Sequence, residues 1–166
     1  VEDDALNRLV LGAGLSWREV VALRAYSQYL KQTGVPFSRA YMRDTLCSNP
    51  GITRALVDLF HLRFDPAHSH DKDEKAAVTQ IESMLDSVDS LDQDRILRNF
   101  LAVIRATLRT NFYQIDEHGE PKQWVSLKFD PSAVPDLPAP RPKFEVFVYS
   151  PRVEGIHLRG GRIARG

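Results

Sequence analysis

The sequence has little cysteine and no net charge, and each shortage excludes a class of protein. Cys47 is the single cysteine among 166 residues, which rules out an internal disulfide and a zinc site built on several cysteines. A lone free thiol is typical of a reducing compartment, so we expect a cytoplasmic protein. The 22 basic and 22 acidic residues balance. No overall electrostatic field therefore favours a nucleic acid or an anionic membrane as partner.

Long apolar runs are also missing. No stretch approaches the roughly 20 residues that a membrane-spanning helix needs, and the first ten residues lack the basic and hydrophobic regions of a signal peptide. We therefore expect a soluble chain without a membrane partner. The first residue is Val1 rather than Met, which suggests a fragment excised from a longer protein.

Residues 1–110 are predicted to form a helical module of about five helices. Ser16 and Glu19 have the spacing of a capping box ahead of the first helix, which is expected to end at Gly34. The apolar stripe of this helix comprises Trp17, Val20, Val21 and Leu30. Ser38 is predicted to cap a second helix, and the pair Asn49–Pro50 to begin a third that ends at Asp65.

Two more helices are predicted after a polar loop. The fourth carries apolar residues at helical spacing between Ala76 and Leu85, and Ser90 with Gln93 has capping-box spacing ahead of the fifth. The fifth has the clearest amphipathic pattern. Its apolar face is predicted to comprise Leu97, Phe100, Leu101, Ile104 and Leu108.

The hydrophobic period changes at Asn111, and the rest of the chain is predicted to form strands. In residues 111–130, Phe112–Ile115 and Trp124–Phe129 are expected to pair as a β-hairpin. Residues 131–142 hold five prolines and form a connector that is either a spacer or a surface crossing. Residues 143–166 contain further strands and the turn signal Gly160–Gly161. The predicted fold class is α+β, a helical bundle followed by short antiparallel strands.

Few residues are candidates for chemistry. His61, His68 and His70 include a His-x-His pair that could bind a metal, but their charged loop without a third ligand favours solvated histidines, and no metal site is assigned. The acidic clusters at 71–74 and 86–94 are typical of helix starts. No Gly-x-Ser-x-Gly motif is present, and no catalytic residue is assigned.

The terminal sequence RGGRIARG is the densest functional-looking element. An arginine–glycine segment can contact single-stranded RNA, since guanidinium planes stack on bases and pair with phosphates. Neither Gly-x-Gly-x-x-Gly nor a Walker-type phosphate loop fits these residues. The alternative is a strand and tight turn with exposed arginines.

Three stretches carry a resemblance to a known family: GLSWREVVALRAYSQYLKQTGVPFS, SLKFDPSAVPDLP and PRPKFEVFVYSPRVEGIHLRGGRIARG. Together they resemble the large, bacterial-type NAD-dependent glutamate dehydrogenases. The resemblance implies that the chain holds a helical segment and the truncated first strands of the catalytic, substrate-binding region. It also implies a homo-oligomeric parent enzyme that uses NAD to deaminate L-glutamate oxidatively to 2-oxoglutarate and ammonia.

One residue role follows from the resemblance. Glutamate dehydrogenases carry a Lys-Gly-Gly-x-Arg motif whose lysine binds the substrate carboxylate, and Arg165-Gly166 is similar to its first two positions, with Arg in place of Lys. Arg165 is therefore expected to bind substrate without transferring a proton. The family's catalytic lysine and aspartate and its Rossmann unit lie further along, so the isolated chain is expected to be inactive and to bind no NAD.

Two other functions remain open at this stage. The helical bundle could be an interaction or oligomerisation module without a catalytic role, since unpaired strand edges favour association. The arginine–glycine tail could bind RNA, although no nucleic-acid partner is expected from the balanced charge.

Overall fold

The computed structural model describes residues 3–67 and 71–161. Within these ranges the chain forms α-helices followed by a four-stranded antiparallel sheet of order β1-β2-β3-β4, which confirms the α+β prediction. A 3-10 turn, Ala5–Arg8, precedes the helices. The helices are α1 (Leu9–Gly12), α2 (Trp17–Gln32), α3 (Arg39–Ser48), α4 (Pro50–Phe64), α5 (Asp71–Leu85) and α6 (Leu91–Ala106). The strands are β1 (Thr107–Thr110), β2 (Val125–Phe129), β3 (Phe144–Tyr149) and β4 (Glu154–Arg159).

Helix α2 is the centre of the fold, and most of its residues from Arg18 to Leu30 are buried. The predicted capping box is confirmed: the Glu19 amide donates to Ser16 Oγ at 3.3 Å, and the Ser16 amide donates to Glu19 Oε2 at 2.6 Å. Gly34 follows the helix with φ of 87°, a conformation that favours glycine. Trp17, which the sequence places in the apolar stripe, is 62% exposed, although the next three residues of α2 are buried.

The other predicted helix starts are confirmed in part. Ser38 and Ser90 accept hydrogen bonds from the third residue of their helices, and Pro50 stands in the first turn of α4. Asn49 makes no side-chain cap, contrary to the prediction. Asn49 Nδ2 donates instead to the Thr45 carbonyl at 2.9 Å and to Gln93 Oε1 at 3.1 Å, so the Gln93 side chain links α6 to the α3–α4 junction rather than completing a capping box.

The junction between α6 and β1 differs from the predicted one. Leu97, Phe100, Leu101 and Ile104 are buried as predicted, but Leu108 lies in β1 and is partly exposed. Carbonyl groups at the end of α6 accept from a donor outside the helix. Arg63 Nη2 donates to the carbonyl oxygens of Arg105 and Thr107, both at 3.1 Å.

The hairpin strand predicted at Phe112–Ile115 lies earlier, at Thr107–Thr110, where it pairs with β2. Asn111 explains the difference because its side chain replaces the next backbone partner of β2. It accepts from the Ser126 amide at 2.7 Å and donates to the Trp124 carbonyl at 3.1 Å. The chain then turns inward, so that Phe112 is buried against Phe60 with ring centroids 5.0 Å apart.

The sheet packs one face on the helices. Alternate residues of β3, Glu145, Phe147 and Tyr149, are buried, and the other three are half-buried. The proline-rich connector crosses the surface of the core, with a 3-10 turn at Pro131–Ala133 that packs on α6. Val134 and Leu137 are buried there. One continuous hydrophobic core therefore joins the helices, the connector and strands β2 and β3.

Candidate functional site

Most predicted site residues fall outside the described part of the chain. Arg165 lies in the segment 162–166, which the structure does not describe, and so do the arginines after Gly161. Strand β4 leads to this segment and forms one edge of the described sheet. Its residues Gly155–Leu158 are exposed on both faces of the strand.

The predicted histidine pair, His68 and His70, also lies outside the described residues, whereas His61 is well defined. Its Nε2 lies 2.7 Å from Glu19 Oε1, and its Nδ1 is hydrogen-bonded to the Tyr113 hydroxyl. Across residues 3–67 and 71–161, no group of three or more His, Cys, Asp or Glu side chains could hold a metal ion. His61 instead joins α2, α4 and the connection between β1 and β2.

The charges around His61 favour a neutral tyrosine and an ionised glutamate. Burial opposes ionisation of Glu19, but hydrogen bonds from Ser16 and His61 outweigh it and hold the Glu19 pKa below its usual range. Burial and the negative charges of Asp65 and Glu19 raise the pKa of Tyr113. The Tyr113 hydroxyl therefore stays protonated, and the two ring nitrogens of His61 link it to the Glu19 carboxylate.

A second polar contact joins α2 to the strands that lead to Arg165. The Tyr29 hydroxyl donates to Glu145 Oε2 of β3, and the Tyr29 ring stacks on Phe129 of β2 with centroids 3.9 Å apart. Both Tyr29 and Glu145 are buried. Burial, the hydrogen bond with Glu145 and the charge of Glu145 all raise the pKa of Tyr29. The protonated Tyr29 hydroxyl thus supplies the hydrogen bond that the buried Glu145 carboxyl group needs.

The sequence contains a weak signal for this contact. Glu145 alternates with Phe147 and Tyr149, a set whose other members are apolar. A glutamate on the buried face of a strand requires a hydrogen-bond donor, such as a tyrosine or an arginine from elsewhere in the chain. Which residue that is depends on how α2 lies across the sheet, and one sequence does not give that information.

Arg18 of α2 fastens the connection between β1 and β2. Its Nη1 donates to the Lys122 carbonyl at 2.5 Å and its Nη2 to the Phe112 carbonyl at 3.2 Å. The guanidinium also lies over the Phe112 ring, 5.1 Å from the centroid. Burial lowers the Arg18 pKa. The sequence does not predict these contacts, because the partners of Arg18 are backbone carbonyls, which every residue carries.

The start of the chain is fastened to α2 by a buried ion pair. Arg24 Nε lies 2.8 Å from Asp4 Oδ2, and Arg24 Nη2 lies 2.9 Å from Asp4 Oδ1. Burial opposes ionisation of Asp4, but the hydrogen bond and charge of Arg24, with the charge of Arg43, lower the Asp4 pKa. The polar residues of α2 therefore hold neighbouring elements in place, and their role is structural positioning.

Comparisons with known proteins give two family matches. The model described as bacterial NAD-glutamate dehydrogenase, catalytic domain, matches residues 80–166. The model described as glutamate dehydrogenase, helical motif 3, matches residues 1–66. The first match contains α6 and all four strands, and the second contains α1 to α4.

Three curated proteins are similar to the chain over nearly its whole length, and each is named NAD-specific glutamate dehydrogenase. The protein of Halomonas elongata is 52% identical over 166 residues, and that of Pseudomonas aeruginosa is 52% identical over 171, both covering 99% of the chain. That of Mycobacterium tuberculosis is 46% identical over 171 residues and covers 100%. The chain spans only 10% of the length of each of these relatives.

Proposed function

The chain belongs to the bacterial NAD-glutamate dehydrogenase family, and from this membership we propose that it is part of a longer enzyme that deaminates L-glutamate oxidatively. The products are 2-oxoglutarate and ammonia, and NAD accepts the electrons. The observation that carries the proposal is the catalytic-domain match over residues 80–166, supported by 46–52% identity to three NAD-specific glutamate dehydrogenases. On the same basis we propose a cytoplasmic, homo-oligomeric parent enzyme.

The proposed contribution of this chain is positioning and substrate binding. The contacts of Tyr29 with Phe129 and Glu145 hold β2 and β3 on α2, and β4 extends that sheet toward the segment that contains Arg165. The helices within residues 1–110 would then be the helical support, and the four strands that follow them would be the first strands of the catalytic region. Arg165 would bind the carboxylate of glutamate through two parallel hydrogen bonds.

The described residues do not fit NAD. A dinucleotide pyrophosphate is usually received by a helix N-terminus after a parallel strand, whereas the described sheet is antiparallel throughout. The Gly-x-Gly-x-x-Gly fingerprint also does not occur in the sequence. NAD would be held by another part of the full-length enzyme, and the isolated chain would have no dehydrogenase activity.

The role of Arg165 can be tested by steady-state kinetics of the full-length enzyme. Arg165→Ala should raise KM for glutamate about tenfold or more, because a charge-assisted contact to the substrate is lost. Arg165→Lys should restore part of the affinity, since an ammonium group keeps the charge without the fork. Arg162→Ala is the matched control in the same segment and should leave KM unchanged. An unaltered KM in Arg165→Ala would exclude the proposed role.

A further inference from the structure

An open apolar groove lies between the start of α2 and the turn that joins β3 to β4. Its cavity volume is about 750 Å³. The apolar lining includes Trp17 and Val21 of α2, Trp124 before β2, and Pro151 and Val153 of the turn. The groove thus lies at the junction between the regions matched by the helical-motif and catalytic-domain models.

The groove exposes large apolar side chains that proteins usually cover. Both tryptophans of the chain line it, and Trp17 is 62% and Trp124 43% exposed. Val153 is 66% exposed at the same site. A contiguous apolar surface of this kind marks a contact with another protein segment. Trp17 also has the helical spacing of the apolar α2 stripe, so it lies on a face of the helix that is suited to packing.

The charge of the groove narrows the choice of occupant. Among the described residues that line it, Arg24 and Arg152 are basic and none is acidic, and Arg24 is already paired with Asp4. Two copies that met groove to groove would bring their Arg152 guanidinium groups together, which opposes an isologous contact. The complementary occupant is an apolar segment with an acidic residue beside it.

The relatives show where such a segment could come from. The chain spans 10% of their length, so most of each related polypeptide lies outside the region matched here. We propose that the groove docks another segment of the same full-length polypeptide, one with apolar side chains beside an acidic residue. This inference rests on the proposed function, because it requires the chain to be part of the longer enzyme. The docked segment would fix the helical support against the first catalytic strands.

Photo-crosslinking in the full-length enzyme tests the proposal. A benzoylphenylalanine is placed at Val153, in the groove, and at Leu91, which is equally exposed at 66% but does not line it. Subunits with normal and heavy isotopes are co-assembled before irradiation. We expect the Val153 probe to crosslink to a peptide outside residues 1–166, in pairs of like isotope only, and the Leu91 probe not to reach that peptide. Mixed-isotope pairs would show a second copy in the groove, and no crosslink would show an open groove; either overturns the proposal.

A charge variant examines the predicted chemistry of the occupant. Arg152→Glu should lower the yield of the Val153 crosslink about tenfold by repelling an acidic residue, and Arg152→Lys should preserve it. Equal yields in the two variants would contradict the acidic occupant. Glutamate turnover is measured on the unmodified enzyme. An inactive enzyme whose groove is crosslinked contradicts the proposed function alone, and an active enzyme without a crosslink contradicts the docking alone.

Discussion

The contact between Tyr29 and Glu145 supports a quantitative prediction about how the helices hold the sheet. Tyr29→Phe removes the hydroxyl and keeps the ring that stacks on Phe129. Glu145 is only 3% exposed, so its carboxyl group loses a hydrogen-bond donor in a place that water hardly reaches. Leaving a buried polar group unpaired costs about 1–3 kcal/mol, and more when the group is charged. We expect Tyr29→Phe to lower the free energy of unfolding by about 3 kcal/mol.

A double-mutant cycle separates this contact from general packing. Glu145→Met leaves the Tyr29 hydroxyl without its acceptor and should cost about 2 kcal/mol. The double variant Tyr29→Phe/Glu145→Met has neither polar group and should cost about 1 kcal/mol or less, because a matched apolar pair needs no partner. Urea unfolding of the 166-residue chain measures all four free energies, and the slope with urea should stay constant.

Tyr41→Phe provides the matched control, because Tyr41 is only partly buried and packs its ring on Phe37. This variant should change the free energy of unfolding by about 0.5 kcal/mol or less. The reasoning would be refuted if the two single variants added up in the double variant. Additivity would mean that the hydroxyl and the carboxyl group contribute independently of one another.

Three further predictions concern other polar contacts. Arg18→Met should lower the free energy of urea unfolding by about 2 kcal/mol, because two carbonyl groups lose their donor, and it should speed proteolysis after residue 112. Arg98→Ala on the surface is the control and should lower this free energy by about 0.5 kcal/mol. Asp4→Asn should cost about 2 kcal/mol at pH 7 through the lost pair with Arg24. Because the folded-state pKa of Asp4 is lowered, this difference should be present above about pH 4 and should shrink as the pH falls below that; a constant difference would contradict it. Burial raises the pKa of the Cys47 thiol, so iodoacetamide at pH 8 should alkylate it about tenfold more slowly than glutathione, and equal rates would contradict the assignment.

Local signals in the sequence predicted the parts of the fold that local contacts determine. The capping box of Ser16 and Glu19 was predicted correctly because it depends on neighbours within a few residues. The prediction that Leu108 lies on the helix was wrong because this residue belongs to β1, whose partner β2 is distant in sequence. The hairpin strand was displaced because the side chain of Asn111 competes with backbone pairing.

The candidate site was less accessible to sequence reasoning than the fold. The family resemblance predicted the parent activity and the role of Arg165, whereas the contacts that hold the sheet were not predicted. Tyr29 and Glu145 are separated by 116 positions, and Arg18 binds carbonyl groups, which carry no residue-specific signal. Trp17 belongs to the predicted apolar stripe but is exposed, because helical periodicity identifies an apolar face and not the element that covers it.

We propose that this chain supports and begins a glutamate site and that it needs the rest of the enzyme for chemistry. The most direct measurement is glutamate-dependent formation of NADH by the full-length protein and by the 166-residue chain at equal molar concentration. We expect NADH formation by the full-length protein and none by the 166-residue chain. Turnover by the chain alone, or none by a folded full-length protein, would contradict it.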